Sequence, residues 1–321
     1  EVSEQLAGFE SDTAVVGVPV DGGAPVSTAE TEPRAAQARA ALTLGLRDYF
    51  TKTGFEEAVI GLSGGIDSSV AAALAVAALG ADNVYAVSLP SEVTSEQSVA
   101  DARAVATNLA VEFDVVPIGP MVESIAGTLD ANAASLTGVA AENVQARVRG
   151  TVLMGIANQR DALVLTPDNK SEAAVGYCTL YGDAVGALAP LGDCYKRLVY
   201  ELADAFNETL SSAESSPVIP TTVIEKEPSA ELRSGQTDEE ELPAYEVLDP
   251  ILERYIEEGR PTRSIREGHP DHAVDEALRR TTNAEFKRRQ TPPPLRITRK
   301  ALGRGWNYPI AAAYDHVLDS R

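Results

Sequence analysis

The run Ala58-Val59-Ile60-Gly61-Leu62 passes directly into Ser63-Gly64-Gly65-Ile66-Asp67-Ser68-Ser69, after which a small-residue segment continues to Leu79 and stops at Gly80. A short, uninterrupted apolar run suits a strand buried on both faces, as strands are in parallel sheets covered by helices. The segment that follows has helix character and ends on a glycine stop. Glycines in the intervening turn let backbone amides approach phosphate oxygens closely, and the helix N-terminus behind them favours an anion. The hydroxyls of Ser63, Ser68 and Ser69 add further donors. Asp67 is the informative exception. A carboxylate beside phosphates repels them unless it holds a Mg²⁺ that bridges to their oxygens. The plain alternative is a turn that only joins strand to helix, with Asp67 as a first-turn dipole partner.

The same unit recurs along the chain. Strands are predicted at Asn83–Leu89, Phe113–Ile118 and Ala162–Leu165, and helices at Ala35–Phe50, Thr94–Leu109 (capped by Thr94-Ser95), Met121–Leu136 and Ala141–Gln159. A further helix is predicted from Asp193, as N-cap, to Phe206. Alternating strand and helix predicts an α/β fold: a doubly wound, Rossmann-like parallel sheet with helices on both faces. A strand at Thr13–Val18 and a Gly/Pro-rich loop form a tail and linker over residues 1–34. The core spans 35–215, an acidic loop or lid spans 216–245, and a helical, partly basic extension fills 246–321.

Charge narrows the partners. The chain carries 48 acidic against 27 basic residues, a formal net charge of −21, which repels nucleic acid and anionic lipid alike. No apolar run reaches the roughly 18 residues that a spanning helix needs. Two cysteines, Cys178 and Cys194, are too few for a disulfide scaffold and fit a reducing cytoplasm. The chain opens on Glu1-Val2-Ser3 and reads as part of a longer protein.

Several further stretches carry candidate chemistry. Val144, Val148, Val152 and Ile156 recur at four-residue spacing, leaving Asn143 and Arg147 on a neighbouring face where they could clasp an anion; a surface ion pair is the commoner fate of an arginine. Asp168-Asn169-Lys170-Ser171-Glu172 follows a strand end, where ligands of open parallel sheets gather, and Glu172 suits a second Mg²⁺ ligand; a solvated acid at a helix start is the plain alternative. Lys196 opposes the dipole in the first turn of its helix, a cost that makes sense if it is aimed at phosphate, the plain alternative being an exposed lysine. Between Arg279 and Arg304 nine bases face one acid, Glu285, which marks either an anion site or a basic stripe balancing acidic neighbours. His269 and His272 flank Pro270 without a third ligand and read as surface residues.

The string Gly61-Leu62-Ser63-Gly64-Gly65-Ile66-Asp67-Ser68-Ser69 resembles the phosphate loop of the ATP-pyrophosphatases, which split ATP into AMP and pyrophosphate, and lacks the Gly-Lys-Thr/Ser ending of kinase P-loops. Together with Asn143–Arg149, Asp168–Glu172, Val175–Asp183, Ala189–Ala203, Pro228–Tyr245 and Phe286–Gln290, it resembles the NAD synthetases from about Ala35 to Pro309. The glutamine-dependent branch is closest, through Thr179–Asp183, Gly186–Pro190 and Pro228–Leu232. The resemblance implies an adenine nucleotide α-hydrolase-like fold and ATP-dependent amidation of deamido-NAD to NAD through an adenylated nicotinate.

It also implies roles. Gly61 to Ser69, Thr166, Lys196 and Ser229 would hold ATP; Asp67 and Glu172 would hold Mg²⁺; Asn143, Arg147, Glu172, Lys287 and Arg288 would contact deamido-NAD; and Asp67, Glu172 and Lys196 would be catalytic. The family's usual Thr-Gly-Asn-Lys-Ser-Glu reads Pro167-Asp168-Asn169-Lys170-Ser171-Glu172 here, so the threonine contact to ATP is lost or passes to Thr166. The nitrogen donor would be ammonia, supplied from glutamine by a preceding nitrilase-like domain in a full-length enzyme, and the assembly a homodimer or larger. Two alternatives stay open: another adenylating amidotransferase of the same loop family, and a nucleotide-binding subunit without catalysis.

Overall fold

A computed structural model describes residues 6–15, 32–132, 135–210 and 217–311. Helix α1 (Arg34–Thr53) precedes strand β1 (Ala58–Gly61), helix α2 (Ile66–Leu79), strand β2 (Val84–Ser88), helix α3 (Glu96–Asn108) and strand β3 (Glu112–Val115). Helices α4 (Gly119–Asn132) and α5 (Val139–Arg160) lead to strand β4 (Leu163–Leu165) and the short helix α6 (Lys170–Val175). Helix α7 (Lys196–Leu210) and the single turn α8 (Thr221–Ile224) follow. The C-terminal part holds α9 (Tyr245–Leu252), continued by a π-helical turn at Glu253–Glu257, then α10 (Thr262–Arg266), α11 (Asp271–Asn283) and α12 (Glu285–Arg288).

The four strands form one parallel sheet in the order β3-β2-β1-β4. Side-chain alternation explains its two covered faces. Ala58 and Ile60 of β1, Val84 and Ala86 of β2, and Leu165 of β4 join the layer built by α1, α2, α3 and α7. Val59, Tyr85, Val87 and Val164 point the other way, onto α5 and the start of α4. The expected valine stripe of α5 sits there: Val148 is buried, with Val144, Val152 and Ile156 packed around it. A third core joins Ala174 and Val175 of α6 to Leu248, Ile251 and Leu252 of α9 and Val274, Ala277 and Leu278 of α11. The C-terminal extension is therefore packed directly behind α6.

The chain runs from β1 outward to β3 and then returns to the opposite side of β1 to form β4. That reversal opens a crevice at the carboxyl ends of β1 and β4, where ligands of open α/β sheets bind. Both the loop after Gly61 and the loop after Leu165 open into it.

Two expectations are corrected. Thr13–Val15 form no strand, and Val16–Val18 of that proposed strand lie outside the described residues. Asp193 is not the cap of α7, which begins three residues later at Lys196. The Asp193 carboxylate instead accepts hydrogen bonds from Lys170 Nζ at 2.7 Å and from the amides of Ile297 and Thr298 at 2.9 and 2.8 Å. Those partners lie 23 and more residues away, beyond the reach of a local capping argument. Ser95, by contrast, caps α3 as expected, its hydroxyl accepting from the Ser98 amide at 3.1 Å.

Candidate active site

The glycine turn is held open by its own serines. Ser68 Oγ lies 3.0 Å from Ser63 Oγ, accepts from the Ser63 amide at 3.2 Å and donates to the Gly65 carbonyl at 3.0 Å. Ser69 is fully buried and donates its hydroxyl back to the same carbonyl at 2.8 Å, so it braces the turn. Gly64 has φ +82°, and a Cβ built there would stand 2.2 Å from the Ser98 carbonyl oxygen of α3. Only glycine meets both demands. Gly64→Ala is accordingly expected to weaken ATP binding about fivefold or more, through a strain of about 1–3 kcal/mol in the loop; an ATP titration by calorimetry checks it, and unchanged affinity contradicts it.

Behind the turn, three elements bring charge to one point. Helix α6 is opened by a reciprocal capping box: Asn169 Oδ1 accepts from the Glu172 amide at 3.0 Å, and Glu172 Oε2 accepts from the Asn169 amide at 3.4 Å. The Asn169 side chain also donates to Asp67 Oδ1 at 2.9 Å, tying α6 to the start of α2. From the first residue of α7, Lys196 Nζ donates to Asp67 Oδ2 at 2.5 Å and to Glu172 Oε1 at 3.1 Å. The Lys196 side chain is 2% exposed and its two partners 18% and 15%. Lys196 thus bridges the two expected metal ligands.

Acidic charge exceeds the cation supply here. Asp168, Asp183 and Asp238 line the same cleft as Asp67 and Glu172. Burial, only partly offset by Lys196 and reinforced by Asp67 and Asp238, pushes the Glu172 carboxyl up to about 8. Burial also raises Asp168 well above the ordinary carboxylate range, with Asp183, Glu172 and Asp67 adding to it. Asp168 Oδ2 is buried without a hydrogen-bond partner. For Lys196, burial works against the charge, but the carboxylates of Asp67 and Glu172 outweigh it and hold the ammonium protonated.

Two converging carboxylates, an orphaned carboxylate oxygen beside them and a net negative cleft together fit a small divalent cation. Among the described residues no group of three or more His, Cys, Asp or Glu could hold a metal unaided.

The cleft measures about 1480 Å³ including the solvent at its mouth. Of the expected ATP residues, Gly61, Leu62, Ser63, Gly65, Ile66, Asp67, Ser68, Thr166, Lys196 and Ser229 line it, whereas Gly64 and Ser69 stand behind the lining. Thr166 is buried beside Pro167, with its hydroxyl donated to the Asp183 carbonyl at 2.6 Å. The acidic segment closes over the cleft as a strap. Lys226 pairs with Glu231 at 3.0 Å, both bond Ser98 Oγ at 2.5 Å, and Gln145 Nε2 donates to the Leu232 carbonyl at 3.0 Å.

The remaining expected residues lie outside the cleft. Asn143 Oδ1 accepts from Thr179 Oγ1 at 2.7 Å, and Arg147 Nε donates to the Leu180 carbonyl at 3.2 Å, so both hold the Thr179–Asp183 loop. Lys287 Nζ donates to the Gly176 and Cys178 carbonyls, each at 2.7 Å. Buried Arg288 bonds the Ala174 and Thr281 carbonyls at 2.5 and 2.6 Å and pairs with Glu285 at 3.0 Å. Much of the basic surplus between Arg279 and Arg304 is therefore spent on internal carbonyls and on Glu276 and Glu285.

One cleft arginine escaped the sequence reading. Arg149, two residues beyond Arg147, turns into the cleft and donates to the Leu89 carbonyl at 2.9 Å, with Ser91 and Thr94 hydroxyls at 3.4 Å. Its helical phase relative to the valine stripe was the only available signal. His272 is exposed, as expected of a surface residue, whereas His269 is half-buried with its Nε2 buried. No helix among the described residues is long and apolar enough to cross a membrane.

Residues 39–291 match the NAD synthase family. The glutamine-dependent NAD(+) synthetase of Aquifex aeolicus is 47% identical over 273 residues, covering 84% of this chain and 47% of that protein. The chain spans about half the length of this and similar curated relatives. Among solved structures, a glutamine-dependent NAD+ synthetase from Acinetobacter baumannii in complex with ADP is 42% identical with a TM-score of 0.60, over 89% of this chain and 51% of that one. An NMN synthetase from Francisella tularensis is 30% identical with a TM-score of 0.65, over 80% of this chain and 94% of that one.

Proposed function

The chain belongs to the NAD synthase family, and from that premise we propose that it carries out the ATP-dependent amidation of deamido-NAD to NAD. The observation that carries the reading is the Lys196 ammonium held between Asp67 and Glu172 behind an open glycine turn. In the first step the nicotinate carboxylate attacks the α-phosphorus of ATP and pyrophosphate leaves. In the second, ammonia attacks the acyl carbon, loses a proton and displaces AMP. No covalent enzyme intermediate is needed; the protein aligns the two reactants and stabilises the charge that builds on the leaving group.

The amides and hydroxyls of the Gly61–Ser68 turn bind phosphate, and Lys196 offers a full positive charge from a dry position. Asp67 and Glu172 are the residues that would hold Mg²⁺, which when bound supplies further charge neutralisation on phosphate oxygens. Thr166 and Ser229 border the nucleotide. The loop held by Asn143 and Arg147, with Lys287 behind it, shapes the deamido-NAD side, and Arg288 fixes α12 there.

The glutamine-dependent relatives are about twice the length of this chain, which supports reading residues 35–321 as the synthetase part of such an enzyme. Residues 1–34 would then be the tail of the preceding glutaminase part. A homodimer fits the apolar side chains that α4 and α5 expose, Met121, Ile125, Val139 and Met154. A cytoplasmic setting fits the two unpaired cysteines.

Incubation of the 321-residue chain with ATP, Mg²⁺, deamido-NAD and ammonium is expected to yield NAD and AMP, and glutamine in place of ammonium is expected to yield neither. Chromatography of both products checks this. Glutamine-driven NAD formation would refute the assignment of donor, and AMP without NAD would point to another acceptor. Because one relative is named for NMN, the assay includes the nicotinate mononucleotide as a competing acceptor.

A further inference from the structure

We propose that Asp249, in the C-terminal extension, is a positioning residue for Lys196, so that α9 is a working part of the active site; this rests on the role given to Lys196 above. A helix start leaves amides without intrahelical partners, and they are normally satisfied by a residue just upstream. At α7 two side chains from other elements take over. Ser171 Oγ of α6 accepts from the Lys196 amide at 2.9 Å, and Asp249 Oδ2 of α9 accepts from the Arg197 amide at 2.9 Å. Ser171 Oγ in turn donates to Asp249 Oδ1 at 2.5 Å.

The chain of contacts is closed and directional. Asp249 fixes the hydroxyl hydrogen of Ser171, which leaves the Ser171 lone pairs turned to the Lys196 amide. Ser171 is the residue before Glu172, and Asn169, two residues upstream, bonds Asp67. One carboxylate therefore sets α6 against α7, the two elements that place Glu172 and Lys196 within 3.1 Å of each other.

Asp249 is not part of the cleft, and both it and Ser171 have no exposed surface. Its nearest full charge is the Arg197 guanidinium, 3.6 Å away on a side chain 44% exposed. A fully buried carboxylate with so weak an ion pair is costly, and burial pushes it up to about 6. An apolar residue would pack α9 at lower cost but could not orient Ser171 or accept from the Arg197 amide.

The test compares Asp249→Asn, Lys196→Ala and the double variant in the full chain, by calorimetric titration with ATP and Mg²⁺ and by the urea midpoint. Asparagine keeps the volume but presents an N–H group to one of the two donors. Asp249→Asn is expected to weaken ATP binding about tenfold or more, the size of one lost charge-assisted hydrogen bond. In the Lys196→Ala background it is expected to add less than about twofold, because residues acting through one another are not additive. Full multiplication of the two effects, or unchanged affinity in Asp249→Asn alone, overturns the proposal. Unchanged ATP binding and AMP release in Lys196→Ala overturns the reading of the site, and this proposal with it. If Asp249→Asn does not fold, Ser171 carries the test: Ser171→Ala is expected to weaken ATP binding and Ser171→Thr, which keeps the hydroxyl, to preserve it. Equal loss in both overturns the proposal.

Discussion

Lys196→Ala is expected to lower the rate of AMP release by about two to three orders of magnitude, the loss typical of removing one preorganised charge from a developing oxyanion. The lysine is dry, and its ammonium sits between Asp67 and Glu172. On the proposed mechanism, removing it takes a cation from the leaving pyrophosphate and at the same time leaves two carboxylates facing the phosphates. Lys196→Arg is not expected to rescue, because a planar guanidinium cannot occupy a site shaped around a point charge. Single-turnover measurements at saturating ATP and Mg²⁺ separate the chemical step from binding. A variant that retains activity within about tenfold of the parent would count against any role in charge neutralisation.

The second large effect concerns stability. Lys170→Met is expected to destabilise the fold by about 3–5 kcal/mol, the cost of breaking a buried ion pair from one side. Lys170 Nζ donates to Asp193 Oδ1 and Thr298 Oγ1, both at 2.7 Å, to the Lys300 carbonyl at 2.9 Å and to Glu257 Oε1. It also lies 5.0 Å over the ring of Tyr195. The lysine and Asp193 have no exposed surface, and Glu257 is 8% exposed. Methionine fills most of the volume but strands two carboxylates in the interior. Asp193 additionally holds the amides of Ile297 and Thr298, so the segment that passes over this knot should loosen with it. Urea unfolding measures the loss; a change below about 1 kcal/mol would mean that the carboxylates find other partners.

These two lysines show where sequence reasoning succeeds and where it stops. Each is buried against two carboxylates, yet one faces the cleft and the other ties the C-terminal extension to α6. Lys196 was legible through its position, since a cation in the first turn of a helix opposes the dipole and so asks for a reason. Lys170 offered no such signal, because Glu257 and Thr298 lie 87 and 128 residues away. Asp193 failed for the same reason: its sequence neighbourhood reads as a helix cap, and its partners are remote.

The sheet was legible almost throughout. Burial on both faces leaves continuous apolar runs at β1, β2 and β4, and the glycine turn after β1 has few other uses. β3 is an edge strand with exposed Glu112 and Asp114, and it is shorter than its apolar content suggests. Arg147 and Arg149 illustrate a finer limit. They flank Val148 by one residue each way, about 100° to either side of the valine stripe, so the stripe sets both beside the buried face without telling which flank opens on the cleft. The basic run from Arg279 to Arg304 was visible as charge, but its partners, backbone carbonyls of α6 and α11, carry no sequence signature.

Under the proposed function this cleft cuts ATP between its α- and β-phosphates. The most direct measurement follows the products of ATP labelled on both the adenine and the γ-phosphate, with deamido-NAD, Mg²⁺ and ammonium present. AMP and intact pyrophosphate are expected in equal amounts with NAD, and ADP with free phosphate would contradict the account.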